Sequence, residues 1–137
     1  MDTSKEYIKM CEKAVEIRGL WEQRIGDFFF DAITGIRVQW ESGDMRFASI
    51  PTSESAVWLP RQDQLQEMVW ENIVENDPLR GECVKSQKPE LLSNNFNKYV
   101  MKDGDRPRLE SMEQLWLAFV MKELYSKTWN GKEWMKG

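Results

Sequence analysis

The chain has 137 residues, near the commonest size of a single domain, with 31% charged and 41% hydrophobic residues, the balance of a globular chain rather than a disordered or membrane-embedded one. Its net charge of -4 gives no global attraction to phosphate backbones, so nucleic-acid binding needs a local basic patch. With no histidine, Ser-His-Asp, Cys-His and zinc-imidazole sites are excluded outright.

The first element is predicted in "TSKEYIKMCEKAVEIRGLW": Thr3 and Glu6 stand at capping-box spacing, Tyr7, Ile8, Cys11, Ala14 and Val15 recur at helical intervals, and Gly19 is the stop. From "GDFFFDAITGIRVQWESGDMRFASI" the period changes to two. Ile36, Val38 and Trp40 alternate with Arg37, Gln39 and Glu41, and "TG" and "SGD" punctuate the runs, which predicts three antiparallel strands with tight turns. "AVWL", ending at Pro60, reads as a fourth.

A second helix follows in "PRQDQLQEMVWENIVEND", with Leu65, Met68, Val69 and Ile73 on one face, and Pro78 and Gly81 break it. "PELLSNNFNKYVMK" predicts a third, started by Pro89, with Leu92, Phe96, Tyr99 and Val100 inward and Gly104 just past its end. "SMEQLWLAFVMKELYSK" predicts a fourth: Ser111 and Gln114 repeat the capping-box spacing, and a helix apolar nearly all round is normally buried by several neighbours. The Asn130-Gly131 pair then favours a two-residue hairpin turn that folds Trp129 and Trp134 back over the core. The expected fold is α+β: a small curled antiparallel sheet of about four strands packed with four helices, the last long helix central, in one domain spanning 1–137.

Two stretches, "VWLPRQDQLQEMV" (57 to 69) and "SMEQLWLAFVMKELYSKTWNGKEW" (111 to 134), resemble segments of small uncharacterised proteins encoded in bacteriophage and prophage genomes. "EYIKMCEKAVEI" resembles them more loosely, and 76 to 110 carries no resemblance. The resemblance implies a phage or prophage origin and supplies no catalytic residues.

Cofactor and metal signatures are weak. No G-x-G-x-x-G or Walker-type loop is present, and "KDGDRP" lacks the glycine spacing and Lys-Ser/Thr ending of a phosphate cradle. Asp103 and Asp105 alternate as calcium ligands do, but Arg106 and Arg108 intrude and the further acids of an EF-hand are missing. Cys11 and Cys83 stand in no metal-binding spacing and read as buried free thiols. No metal and no cofactor is therefore expected. No apolar run suits a bilayer span and the first residues lack the pattern of a secretory signal, so no membrane association and a cytoplasmic location are the expectation.

Three functional readings remain. Asp63, Glu67, Glu71 and Glu75 recur every fourth residue and form one slowly turning band on the second helix, bordered by Val74 and Trp70. Like-charge pairs at this spacing are unfavourable by about 0.2–0.5 kcal/mol each, which a stable domain tolerates. An aromatic anchor beside steering acids suits a protein partner with a basic surface. The leading expectation is thus a non-enzymatic accessory protein that binds another protein, with self-association open as well. The second reading is nucleic-acid binding by the basic segment 85–108, through Lys98, Lys102, Arg106 and Arg108 near Phe96 and Tyr99. The third is a hydrolase built on paired carboxylates converging in a cleft.

Overall fold

Helix α1 (Lys5–Lys13) begins where Ser4 Oγ accepts the Tyr7 amide at 3.2 Å. The cap is thus Ser4, one residue after the expected Thr3. Asp2 explains the shift, because its carboxylate accepts the Ser4 amide at 2.8 Å and does what the glutamate of a capping box does elsewhere. In the computed structural model, residues 1–39, 56–76, 88–102 and 108–137 are described.

Ala14 interrupts the first helix with φ -84° and ψ 68°, and α2 (Val15–Arg18) continues to Gly19. Tyr7, Met10, Cys11, Ala14 and Ile17 form the buried stripe, while Val15, expected inward, is 62% exposed. The break at Ala14 re-aims the following turn, so Ile17 enters the core in its place.

The sheet has the order β2-β1-β3, from β1 (Phe28–Asp31), β2 (Gly35–Val38) and β3 (Ala56–Leu59), all antiparallel. Phe29 stands opposite Arg37 on one side and Trp58 on the other. Asp31 Oδ1 accepts the Ile33 amide at 2.8 Å, and Gly35 takes φ +81°, a value that favours glycine, so the β1–β2 turn closes in three residues. Past β2 the expected alternation changes: Gln39 is buried while Ile36 and Arg37 are exposed. Gln39 exchanges backbone bonds with Asp27 and Gly26 at 2.8 Å each, which holds it inside. The strand expected in "MRFASI", with Trp40 and Glu41, lies outside the described residues.

All four residues of β3 are buried, and α1 packs on this strand. The Tyr7 hydroxyl donates to the Pro60 carbonyl at 2.6 Å. These elements belong to one of two compact units, Met1–Arg61; the other is Gln62–Gly137.

Within Gln62–Gly137, α3 (Gln62–Asn76), α4 (Lys88–Met101) and α5 (Met112–Tyr125) pack together. Ser111 Oγ caps α5 by accepting the Gln114 amide at 3.1 Å, and Gln114 Oε1 accepts the Glu110 amide at 3.0 Å. Trp116 through Met121 are all buried, because α5 touches α3, α4 and the strand after it. This is the central helix of its unit. An aromatic cluster joins α4 to α5: Phe96 stacks on Trp116 with centroids 4.3 Å apart, and Tyr99 meets Phe119 at 5.2 Å.

Helix α5 ends at Ser126, in the left-handed conformation with φ 55°. Strands β4 (Lys127–Trp129) and β5 (Trp134–Lys136) then pair with Trp129 opposite Trp134, their rings 5.1 Å apart. The loop is Asn130 to Glu133, longer than the expected two residues. Asn130 Oδ1 accepts the amides of Lys132 and Glu133 at 2.8 Å each, and Gly131 takes φ +96°, so the side chain closes a wider turn. The fold is α+β, as expected, but its strands divide into a three-stranded sheet and a separate hairpin, and the first expected helix is two. Among the described residues no helix is long and apolar enough to cross a membrane.

Candidate protein-binding face

The acid band of α3 is present as a column. Asp63, Glu67, Glu71 and Glu75 are all exposed, while Leu65, Val69 and Trp70 are buried and Met68, Ile73 and Val74 are intermediate. At about 100° per residue the four acids sweep an arc of about 120°, with Leu65 and Val69 on the opposite side and Trp70 at the edge of the arc beside Asp63. The four acids therefore share one exposed face of α3.

Trp70 corrects the expected site. It is 6% exposed, so it is not the protruding anchor expected but a packed ring bordering the acids. The reason is geometric: Trp70 lies only about 60° around the helix from Ile73, so the apolar arc is wider than the Leu65, Met68, Val69, Ile73 stripe and includes the indole at its border. A ring of this size is drawn in by the area it removes from water.

Lys88, the first residue of α4, lies over that border. Its Nζ is 2.5 Å from Glu67 Oε2 and 5.4 Å from the centroid of the Trp70 ring. The Lys88 side chain is 32% exposed and that of Glu67 51%, so solvent screens the pair and its worth is about 0–1 kcal/mol. Glu71 and Glu75 make no ion pair among the described residues. The column thus has one step, Glu67, already holding a cation, with Glu71 and Glu75 exposed beyond it.

The alternative basic surface is only partly assembled. Lys98, Lys102 and Arg108 are exposed, and Arg106 lies outside the described residues, as do Lys85 and the acids Asp103 and Asp105 of the calcium reading. Lys98 and Lys102 line a shallow open depression with Asn94, Asn97 and Met101, one face of α4, and Met101 is 87% exposed. The aromatic residues do not join them: Phe96 is buried against Trp116, and Tyr99 lies against Phe119. Base stacking on Phe96 is excluded by its packing, and Tyr99 is half-buried. A cation in the last turn of a helix also complements the helix dipole, which is a structural reason for Lys98.

Sequence reasoning missed the polar centre of Met1–Arg61. Asp27, 1% exposed, accepts the Trp21 indole N–H at 3.0 Å and the Arg24 amide at 2.9 Å through Oδ2. The only signal was "IGD" before a strand, which reads as an ordinary turn. Cys11 is buried, as expected, and burial pushes its thiol well above the ordinary value, so it stays protonated. Cys83, Pro78, Gly81 and Gly104 lie outside the described residues. Among the described residues no group of three or more acids and cysteines is placed to hold a metal.

Comparison with protein-family models, curated proteins and solved structures gave no match to the chain.

Proposed function

We propose that this protein is a non-enzymatic accessory protein of phage or prophage type that acts by binding a basic segment of another protein along the acid column of α3. The observation that carries the reading is the exposure of all four acids, Asp63, Glu67, Glu71 and Glu75, on one helix face. Four carboxylates within about 18 Å of helix make a local negative field that steers and orients a cationic partner. Half-buried Val74 adds a small apolar contact beside Glu71, on the Trp70 side of the column. The resemblance of 57–69 and 111–134 to phage-encoded proteins supports the origin, and on this reading the protein works in the cytoplasm.

The test is affinity capture from nuclease-treated bacterial lysate with the unchanged protein and with Glu71→Lys/Glu75→Lys. A protein recovered by the first and lost by the second, with unchanged circular dichroism, supports the reading. Equal recovery by both overturns it.

A second reading has one observation in its favour: exposed Lys98 and Lys102 share an open depression with the amides of Asn94 and Asn97, groups that can hold phosphate and base edges. Its mark is salt, since contact with several phosphates makes affinity fall steeply as ionic strength rises. That depression does not suit the carboxylate hydrolase, since amides, ammonium groups and a thioether line it.

A further inference from the structure

We infer that Glu67 and the Trp70 ring form a seat for one lysine or arginine side chain of the partner, and that Lys88 occupies this seat in the free protein. The inference rests on the acid-column reading and adds what the partner must present.

The chemistry of the seat is that of a cation receptor. A carboxylate gives a charge-assisted hydrogen bond, and the face of an indole attracts an ammonium or guanidinium through its quadrupole. Trp70 belongs to the buried arc of α3, so packing already fixes its ring and no order has to be created when a ligand arrives. Lys88 shows the fit directly, with its ammonium on Glu67 Oε2 and over the ring.

The position of Lys88 in its own helix gives no other reason for it to sit there. It opens α4, and the N-terminal end of a helix dipole disfavours a cation; Glu90 is the residue in that turn which the dipole favours. Its contact with Glu67 is made by side chains alone, so the Lys88 ammonium can swing away without breaking a backbone hydrogen bond of α4. Both partners of the Lys88–Glu67 pair are partly exposed, which makes exchange for an incoming ammonium group nearly even.

The column sets the spacing of the partner. Successive acids rise about 6 Å along α3, four residues at 1.5 Å each. Alternate residues of an extended chain stand about 6.6 Å apart on one side. An extended segment with a basic residue at every second position therefore puts one cation in the Glu67–Trp70 seat and the next two at Glu71 and Glu75.

The experiment is titration of the full chain with a synthetic peptide of alternating lysine and serine at low salt. Lys88→Ala is expected to raise affinity about two- to fivefold, the worth of an exposed ion pair no longer competing. Lys98→Ala removes the same charge elsewhere and is expected to leave affinity unchanged, and Glu67→Gln added to Lys88→Ala is expected to abolish the gain. Lys88→Ser, a residue suited to a helix start, replaces the alanine variant if that one unsettles α4. Peptide binding that Lys88 variants do not improve, or that Lys98→Ala improves equally, overturns the seat and leaves the acid column standing. No binding by any form overturns both.

Discussion

The guanidinium of Arg61 reaches the carboxylate of Asp27: Nη1 lies 3.5 Å from Asp27 Oδ1 and donates to the Gly26 carbonyl at 2.7 Å. Asp27 is almost fully buried, and its other oxygen serves Trp21 and the Arg24 amide, so one carboxylate ties the loop before β1 to Arg61 after β3. Asp27→Ala leaves the Trp21 and Arg24 donors without this acceptor and removes the charge that faces Arg61, and is expected to destabilise the protein by about 3 kcal/mol. Asp27→Asn keeps the shape and part of the bonding, and its effect should be about half as large. Urea unfolding of both variants measures the difference.

Trp70→Ala is a stability mutation rather than a surface one. Removing a 6% exposed indole opens a cavity in α3's buried arc and is expected to lower unfolding free energy by about 3–5 kcal/mol. An unchanged denaturation midpoint would show that the ring is not packed.

Charge reversal on the column should behave in the opposite way. Glu71→Lys and Glu75→Lys change exposed side chains, and the expected shift in stability is within about 0.5 kcal/mol. For Glu71→Lys the sign should be a small gain, since repulsion by Glu67 and Glu75 one turn away becomes attraction. Thermal unfolding at low and high salt reads it, and the gain should fade as salt rises.

Ser126 closes α5 with φ 55°, a conformation that non-glycine residues reach at a penalty. Ser126→Gly is therefore expected to stabilise the protein by about 0.5–1 kcal/mol. Gly131→Ala is its converse in the hairpin: the new methyl group meets nothing within 4 Å, so the expected loss of about 1 kcal/mol comes from the backbone at φ +96° alone.

Cys11 links stability to alkaline pH. Burial raises its pKa above the ordinary value of 9.0, so the folded state keeps the proton where the unfolded chain releases it. The resulting stabilisation is complete below pH 9.0 and is lost as pH rises above it. With Cys83→Ser as background, Cys11 should resist a thiol reagent at pH 8 until denaturant is added, and Cys11→Ala should flatten the alkaline decline of the denaturation midpoint.

The helices were legible because their signals are local and periodic. The run at 112–125 and the acids at every fourth residue each follow from one element's geometry, and those acids do share an exposed face. What escaped depends on partners distant in sequence. Trp70 is inside because the apolar arc extends to it and Lys88 lies over its ring, and Asp27 is inside because Trp21, Arg24 and Arg61 converge on it. Small shifts had local causes that pattern rules rank too low. Asp2 moved the first cap to Ser4, and the Asn130 side chain lengthened a turn that the Asn-Gly pair alone would have made shorter.

The burial of α5 against α3 has a consequence for how the chain is made. Synthesis runs from the N-terminus, so α3 leaves the ribosome before α5 exists, at about 5–20 residues per second. Through that interval α3 lacks the helix it packs against, and the apolar surface of its core-facing side is open to chaperones or to a neighbouring nascent chain. The acids on the other side of α3 are then a solubilising charge on a helix waiting for its partner.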